Sequence, residues 1–182
     1  MATAKGINIT ALDTSPRTLL EAGSAQGKFR GFADTIAAAT GDIDDNDILM
    51  LAEVPSNAKI HSIKLYNDDL DSGTSLAVDV GLYNGETKFT DTDGSSTAYA
   101  AGGVIDRDAY ATAITTLQGA VTVGTEVAYE ARNINAVNNF VWEDGGLTSD
   151  PGVPLRIAIT VETAAGTAVA GDVTIVVTYA VS

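Results

Sequence analysis

The chain has 182 residues, enough for one domain or one domain with an arm, and a fold of this size buries roughly 70% of the surface its unfolded chain exposes. Hydrophobic residues make up 45% and charged residues 19%, with 18 glycines and no cysteine, a globular composition that excludes disulfides, thiolate metal sites and cysteine nucleophiles. A formal net charge of −14 with one histidine repels phosphate backbones and anionic lipid, so neither nucleic acid nor a membrane is an expected partner.

Taken in chain order, the first residues, Met-Ala-Thr-Ala-Lys-Gly, lack the apolar core of a signal peptide, and no apolar run nears the roughly 18 residues of a membrane span. Synthesis in the cytosol is therefore expected. Residues 1–30 carry four bases and two acids, which leaves six bases and 22 acids for the remainder. A weakly basic segment thus precedes an acidic body. That segment lacks sustained periodicity and contains Thr14-Ser15-Pro16 and Gly23-Ser24-Ala25-Gln26-Gly27, so residues 1–28 read as an extended N-terminal arm and 29–182 as the folded body. Ile7, Ile9, Leu12, Leu19 and Leu20 are apolar side chains that a free tail would leave in water; with Arg17 and Lys28 they are the candidate contacts to a partner or neighbouring subunit. Gly23 to Phe29 resembles a phosphate-binding loop only superficially, being one residue short between its glycines and having Phe29 where a Ser or Thr is needed.

From Phe29 the dominant period is two. Leu76, Val78, Val80 and Leu82 alternate with Ala77, Asp79, Gly81 and Tyr83, and Leu155, Ile157, Ile159 and Val161 alternate with Arg156, Ala158, Thr160 and Glu162, which predicts half-buried strands. Val173, Ile175, Val177, Tyr179 and Val181 repeat the pattern, and the last two strands are expected to form an antiparallel hairpin across 165–172. Further strands are expected at 29–38, 47–54, 58–66 and 125–132, with Ile48 to Leu51 apolar enough to be covered on both faces. Between them, Asp106 can cap a short helix over 106–117 in which Tyr110, Ala113, Ile114 and Leu117 share a face before Gly119. Many short strands and one short helix predict a mainly β protein, an antiparallel β-sandwich of the jelly-roll kind.

Residues that could carry chemistry are few. His61 is the only imidazole and stands mid-strand between Ile60 and Ser62, with no Gly-x-Ser-x-Gly elbow in the chain, which reads as a strand or interface histidine and not as part of a triad. Asp42, Asp44, Asn46, Ile48 and Glu53 occupy the first, third, fifth, seventh and twelfth positions of an EF-hand-like loop. Asp47 sits where its sharp turn calls for glycine, and a strand follows in place of a helix, so a calcium site is the alternative and a solvated acidic loop the main reading. Asp91-Thr92-Asp93-Gly94 is a second acidic turn. Trp142, the sole tryptophan, is either an aromatic anchor at an interface or core packing. No cofactor and no catalytic residue is assigned.

Several segments carry a family resemblance. Ile48-Leu49-Met50-Leu51-Ala52-Glu53-Val54-Pro55-Ser56-Asn57-Ala58-Lys59-Ile60, then Ile63 to Leu70 and Leu76 to Tyr83, resemble head decoration and other minor structural proteins encoded beside phage capsid genes. Ile105 to Ala113, Val141-Trp142-Glu143, Ser149-Asp150-Pro151 and Ala170 to Tyr179 are similar too. The likeness covers about 48–181 and consists of strand and turn patterns. The resemblance to the tailed-bacteriophage capsid decoration (cement) family implies a jelly-roll-like homotrimer. Such a protein sits on the capsid exterior, binds the major capsid protein, clamps neighbouring subunits and has no enzymatic activity. A phage tail, spike or receptor-binding β-module and a calcium-dependent extracellular binding domain are the alternatives, and a hydrolase built on paired carboxylates is the enzyme alternative.

Overall fold

The computed structural model describes residues 10, 13–16, 18, 28–85 and 103–181. Eight strands follow one another: β1 (Lys28–Ala38), β2 (Ile48–Val54), β3 (Ala58–Asn67), β4 (Ala77–Asn84), β5 (Val104–Ile114), β6 (Val121–Glu126), β7 (Leu155–Thr163) and β8 (Gly171–Val181). A one-turn helix, α1 (Val141–Asp144), lies between β6 and β7. The strands form two antiparallel sheets, ordered β1-β8-β3-β6 and β2-β7-β4-β5. Pairing β1 with β8, β2 with β7, β3 with β6 and β4 with β5 is the pattern of one long hairpin, and rolling that hairpin up adds the β3·β8 and β4·β7 contacts. This is a jelly roll.

The core lies where the alternating apolar residues of the two inner faces meet. Ile60, Ile63 and Leu65 of β3 and Val173, Ile175 and Val177 of β8 pack with Leu49 and Leu51 of β2, Val78, Val80 and Leu82 of β4, and Leu155, Ile157, Ile159 and Val161 of β7. Each such side chain contributes about 1.5–3 kcal/mol relative to an exposed one.

Four sequence expectations are corrected. The stretch 106–117 is not helical: Val104–Ile114 is β5, followed by a short 3-10 turn at Thr116–Gln118 that buries Leu117. Its helical spacing arises because β5 loses register with β4 at three places, so that Tyr110 and Ala111 are buried in succession. The carboxylate of Asp79, itself buried, holds this irregular strand by pairing with Arg107 and accepting from the Ala113 N–H at 2.8 Å, where Ala113 has a φ of 50°. Gly81 lets the β5 backbone cross at Asp106 and Arg107, since a Cβ there would overlap both carbonyls.

Secondly, β7 and β8 do not form a hairpin; the chain between them crosses from one sheet to the other. Thirdly, the strand expected at 125–132 ends at Glu126, after which Val127 N–H donates to Ile63 O and Ala131 N–H to Tyr110 O, turning the chain out of the sheet. Lastly, β4 is covered on both faces along most of its length, Asp79, Tyr83 and Asn84 included, whereas Ile48 of β2 is 39% exposed.

The turn after β3 is closed by one buried carboxylate. Asp71 Oδ1 accepts from the N–H groups of Gly73 and Thr167, both at 2.9 Å, and Oδ2 from Ser75 at 2.8 Å and Leu76 at 2.9 Å. Thr167 lies on the β7–β8 connection, so Asp71 ties the two crossing segments together, and Asp71 also bridges Ala168. These donors hold the Asp71 carboxyl well below the usual carboxylate range, the Thr167 N–H foremost, against the opposing effect of burial.

Candidate functional site

Of the candidate arm contacts, Lys28 is the first residue of β1, exposed and paired with Val181. Ile7, Ile9, Leu12, Arg17, Leu19 and Leu20 lie outside the described residues, as does the Asp91-Thr92-Asp93-Gly94 turn.

The acidic loop is tied up internally. The Asp42 carboxylate accepts from Ala39 N–H at 2.8 Å, that of Asp47 from Asp44 N–H at 2.8 Å and that of Asp45 from Ala164 N–H at 2.6 Å. Asn46 turns the chain at a φ of 70° and donates its N–H to Val161 O, Ile48 opens β2, and Glu53 pairs with Arg156 across β2 and β7 at 3.1 Å. The positive φ thus falls at Asn46, one position before that at which an EF-hand has its glycine. Among the described residues no group of three or more acidic or histidine side chains converges as a metal site would require. Chelation is expected to shift the melting temperature by no more than about a few degrees, whereas a site saturated at 100 times its Kd would add about 2.7 kcal/mol. A larger shift, removed by Asp42→Ala with Asp44→Ala, would show that these carboxylates hold calcium.

His61 stands at the break in register between Ile60 and Ser62, with its ring centroid 5.0 Å from that of Phe29. Its pKa is lowered by burial and then by the charges of Arg132 and Lys59, so the imidazole is neutral at neutral pH. Its Nε2 is buried without a hydrogen-bond partner among the described residues. Among the described residues no carboxylate or hydroxyl is hydrogen-bonded to this Nε2.

Trp142 lies on α1, half-buried against the core and stacked on Phe140 with centroids 6.4 Å apart, while Lys59 Nζ sits 4.6 Å above the Phe140 ring. Beside it is a polar network that sequence reading missed. Arg132 donates from Nε to Asp144 Oδ1 at 3.0 Å, from the other side of its fork to Asp144 Oδ2 at 3.0 Å, and to the Ile60 and Ala136 carbonyls at 3.0 and 2.5 Å. Tyr110 O–H donates to Asp144 Oδ2 at 3.3 Å. Both charged side chains are almost fully buried, and burial raises the Asp144 pKa to about 6 against the pull of Arg132 and Tyr110. The network joins β3, β5, the segment after β6 and α1.

Among the described residues one side of the sandwich is open. Strands β1 and β2 are the edges of their sheets there, and Phe32, Asp34, Met50, Leu51, Ala52, Glu53 and Arg156 line a groove of about 400 Å³ between them. Phe29 is 67% exposed, and β1 is exposed along nearly its whole length. The groove thus lies beside an accessible strand, with Asp34, Glu53 and Arg156 as its charged lining.

Chains of two phage capsids share this fold. One, in the capsid of Ralstonia phage GP4, superposes with a TM-score of 0.58 and 18% identity over 86% of each chain. Another, in the capsid asymmetric unit of cyanophage Pam1, gives a TM-score of 0.51 and 18% identity over 93% of this chain and 97% of that one. The sequence matches no family model and no curated protein. At these identities the likeness is one of fold, over 86% and 93% of this chain.

Proposed function

We propose that this chain is a structural component of a phage virion that decorates the outer surface of the capsid and clamps neighbouring subunits of the major capsid protein. The observation that carries the reading is the jelly roll matched over 86% or more of its length by chains of two phage capsids. The acidic, cysteine-free composition and the open β1–β2 side support it, since a cement protein needs a rigid body and a contact surface but no reactive group. Such a protein binds the assembled lattice in preference to separate subunits and shifts assembly by its binding free energy. In this reading the chain is made in the host cytoplasm, acts without enzymatic activity, and associates with itself, the family resemblance implying a trimer.

The arm is the proposed anchor. Burial of Ile7, Ile9, Leu12, Leu19 and Leu20 at an interface would contribute roughly 1.5–3 kcal/mol each, offset by about 1–2 kcal/mol for every residue ordered. Partial ordering, or strand addition to a neighbour, is therefore the favourable mode, with Arg17 and Lys28 supplying positive charge. Since β1 begins at Lys28, removing residues 1–27 leaves every described strand intact. The truncated chain should keep the circular dichroism of the full one yet bind undecorated capsids at markedly lower occupancy. Equal copy numbers for both chains would dismiss the arm as anchor, and failure of the full chain to bind any undecorated capsid would dismiss the decoration role.

A further inference from the structure

Each sheet has two edge strands, and among the described residues β1 differs from the other three. Register is broken in the pairing of β2 with β7, of β5 with β4 and of β6 with β3. Strand β1 runs beside β8 from Lys28 to Ala38 without a break, contains no proline and is exposed. Bulges, short length and proline are the usual means of spoiling an edge against pairing, and β1 has none of them.

We propose that β1 pairs antiparallel with β1 of a second copy about a two-fold axis through Phe32, joining their β1-β8-β3-β6 sheets into one continuous sheet. The backbone is oriented for it. Thr35 and Thr174 lie opposite each other with their hydroxyls 2.7 Å apart, and the Thr35 N–H is taken by the Asp34 carboxylate at 2.8 Å and not by β8. The odd-numbered residues of β1 therefore turn their N–H and C=O groups to the free edge. A two-fold at Phe32 sets Gly31 opposite Ala33 and Phe29 opposite Thr35 of the second copy as hydrogen-bonded pairs. Phe32 then meets Phe32, and Arg30 meets Asp34, at the intervening positions where side chains approach most closely.

Arg30 and Asp34 together select this register. Moving the axis to Gly31 puts Arg30 opposite Phe32, although Asp34 then meets Lys28 of the second copy, and moving it to Ala33 puts Asp34 opposite Phe32; a further step sets Arg30 against Arg30 or Asp34 against Asp34. Only the axis through Phe32 gives both Arg30 and Asp34 an opposite charge. Inward-pointing charges ordinarily guard an edge against promiscuous pairing; here they are complementary under one symmetry operation. Asp34, which caps the Thr35 N–H in the single chain, would exchange that bond for Arg30 of the second copy as Thr35 pairs with its Phe29.

This inference stands apart from the capsid reading and concerns a two-fold contact, not a three-fold one. The test is sedimentation equilibrium of the full chain with charge swaps. Arg30→Asp and Asp34→Arg should each raise the dimer dissociation constant by at least about tenfold, because each sets like charges opposite one another twice per dimer. An equimolar mixture of the two variants should restore association, since every opposed pair is then of opposite sign. Because the chain has no cysteine, Phe32→Cys should give a disulfide-linked dimer on air oxidation, the paired Cα atoms lying at about 4.5 Å, whereas Ala37→Cys should not. A monomer at all concentrations, or a trimer or larger assembly unchanged by either swap, overturns the proposal. Should Phe32→Cys fail to fold, the swaps and their mixture still decide.

Discussion

Replacing Arg132 with alanine is expected to destabilise the protein by about 3–5 kcal/mol, the cost of leaving a buried carboxylate without its counter-ion. Arg132 is 7% exposed, and its guanidinium is shared between both oxygens of Asp144 and two backbone carbonyls. Truncation leaves Asp144, Ile60 O and Ala136 O short of a donor at once, and Tyr110 O–H cannot replace the bidentate pair. Urea denaturation at pH 7 measures the effect; a loss below about 1 kcal/mol would show that the pair is not structural.

The same carboxylate sets part of the pH dependence. The folded Asp144 pKa is raised to about 6, above the roughly 3.9 of an unfolded chain, so the folded state holds this proton more tightly. Its contribution is therefore fully present below about pH 4 and is lost as pH rises through about 6, by roughly 3 kcal/mol at most. Asp144→Asn should flatten the stability profile over that window relative to wild type.

The second large effect is expected at Asp71. Asp71→Asn preserves shape but turns an amide N–H2 toward two backbone donors that the carboxylate now accepts, and no rotation of the amide removes the conflict because both oxygens are engaged twice. A fall in melting temperature on the order of 10 °C is expected, together with lost protection from amide exchange at Leu76 and Thr167. The pH signature is opposite to that of Asp144. A depressed folded pKa contributes stability that is present above about pH 4 and is lost as pH falls toward the folded value, so acid should cost wild type more than Asp71→Asn. A variant melting within about 2 °C of wild type would show that the turn closes without this carboxylate.

Strand β8 and much of β2, β3, β4 and β7 were legible because the apolar residues that face the core recur with the pleat's period of two, whereas β1, ahead of Ala38, shows only Phe32 and Ile36 partly buried against the core. The β5 segment was not. Its bulges against β4 place Tyr110 and Ala111 inward together and mimic helical spacing, and bulges arise from pairing with a strand more than 20 residues earlier in the chain. Likewise nothing local distinguishes a hairpin from a crossover between β7 and β8; the rolled-up pairing of β1 to β4 with β8 to β5 decides it. Asp71 had a visible cue in Asp69-Leu70-Asp71-Ser72-Gly73, a turn-forming run, but the donor from Thr167 could not be read there. Composition determined by itself that this chain has no thiol chemistry, a strongly acidic charge and enough alternating apolar residues for a β-sandwich. Only the tertiary structure decided which carboxylates are buried, since Arg132 and Asp144 meet because α1 and the segment after β6 both pack beside Ile60 of β3. It alone also placed β1 at an open edge, because whether a strand has a neighbour is a property of the sheet and not of the strand.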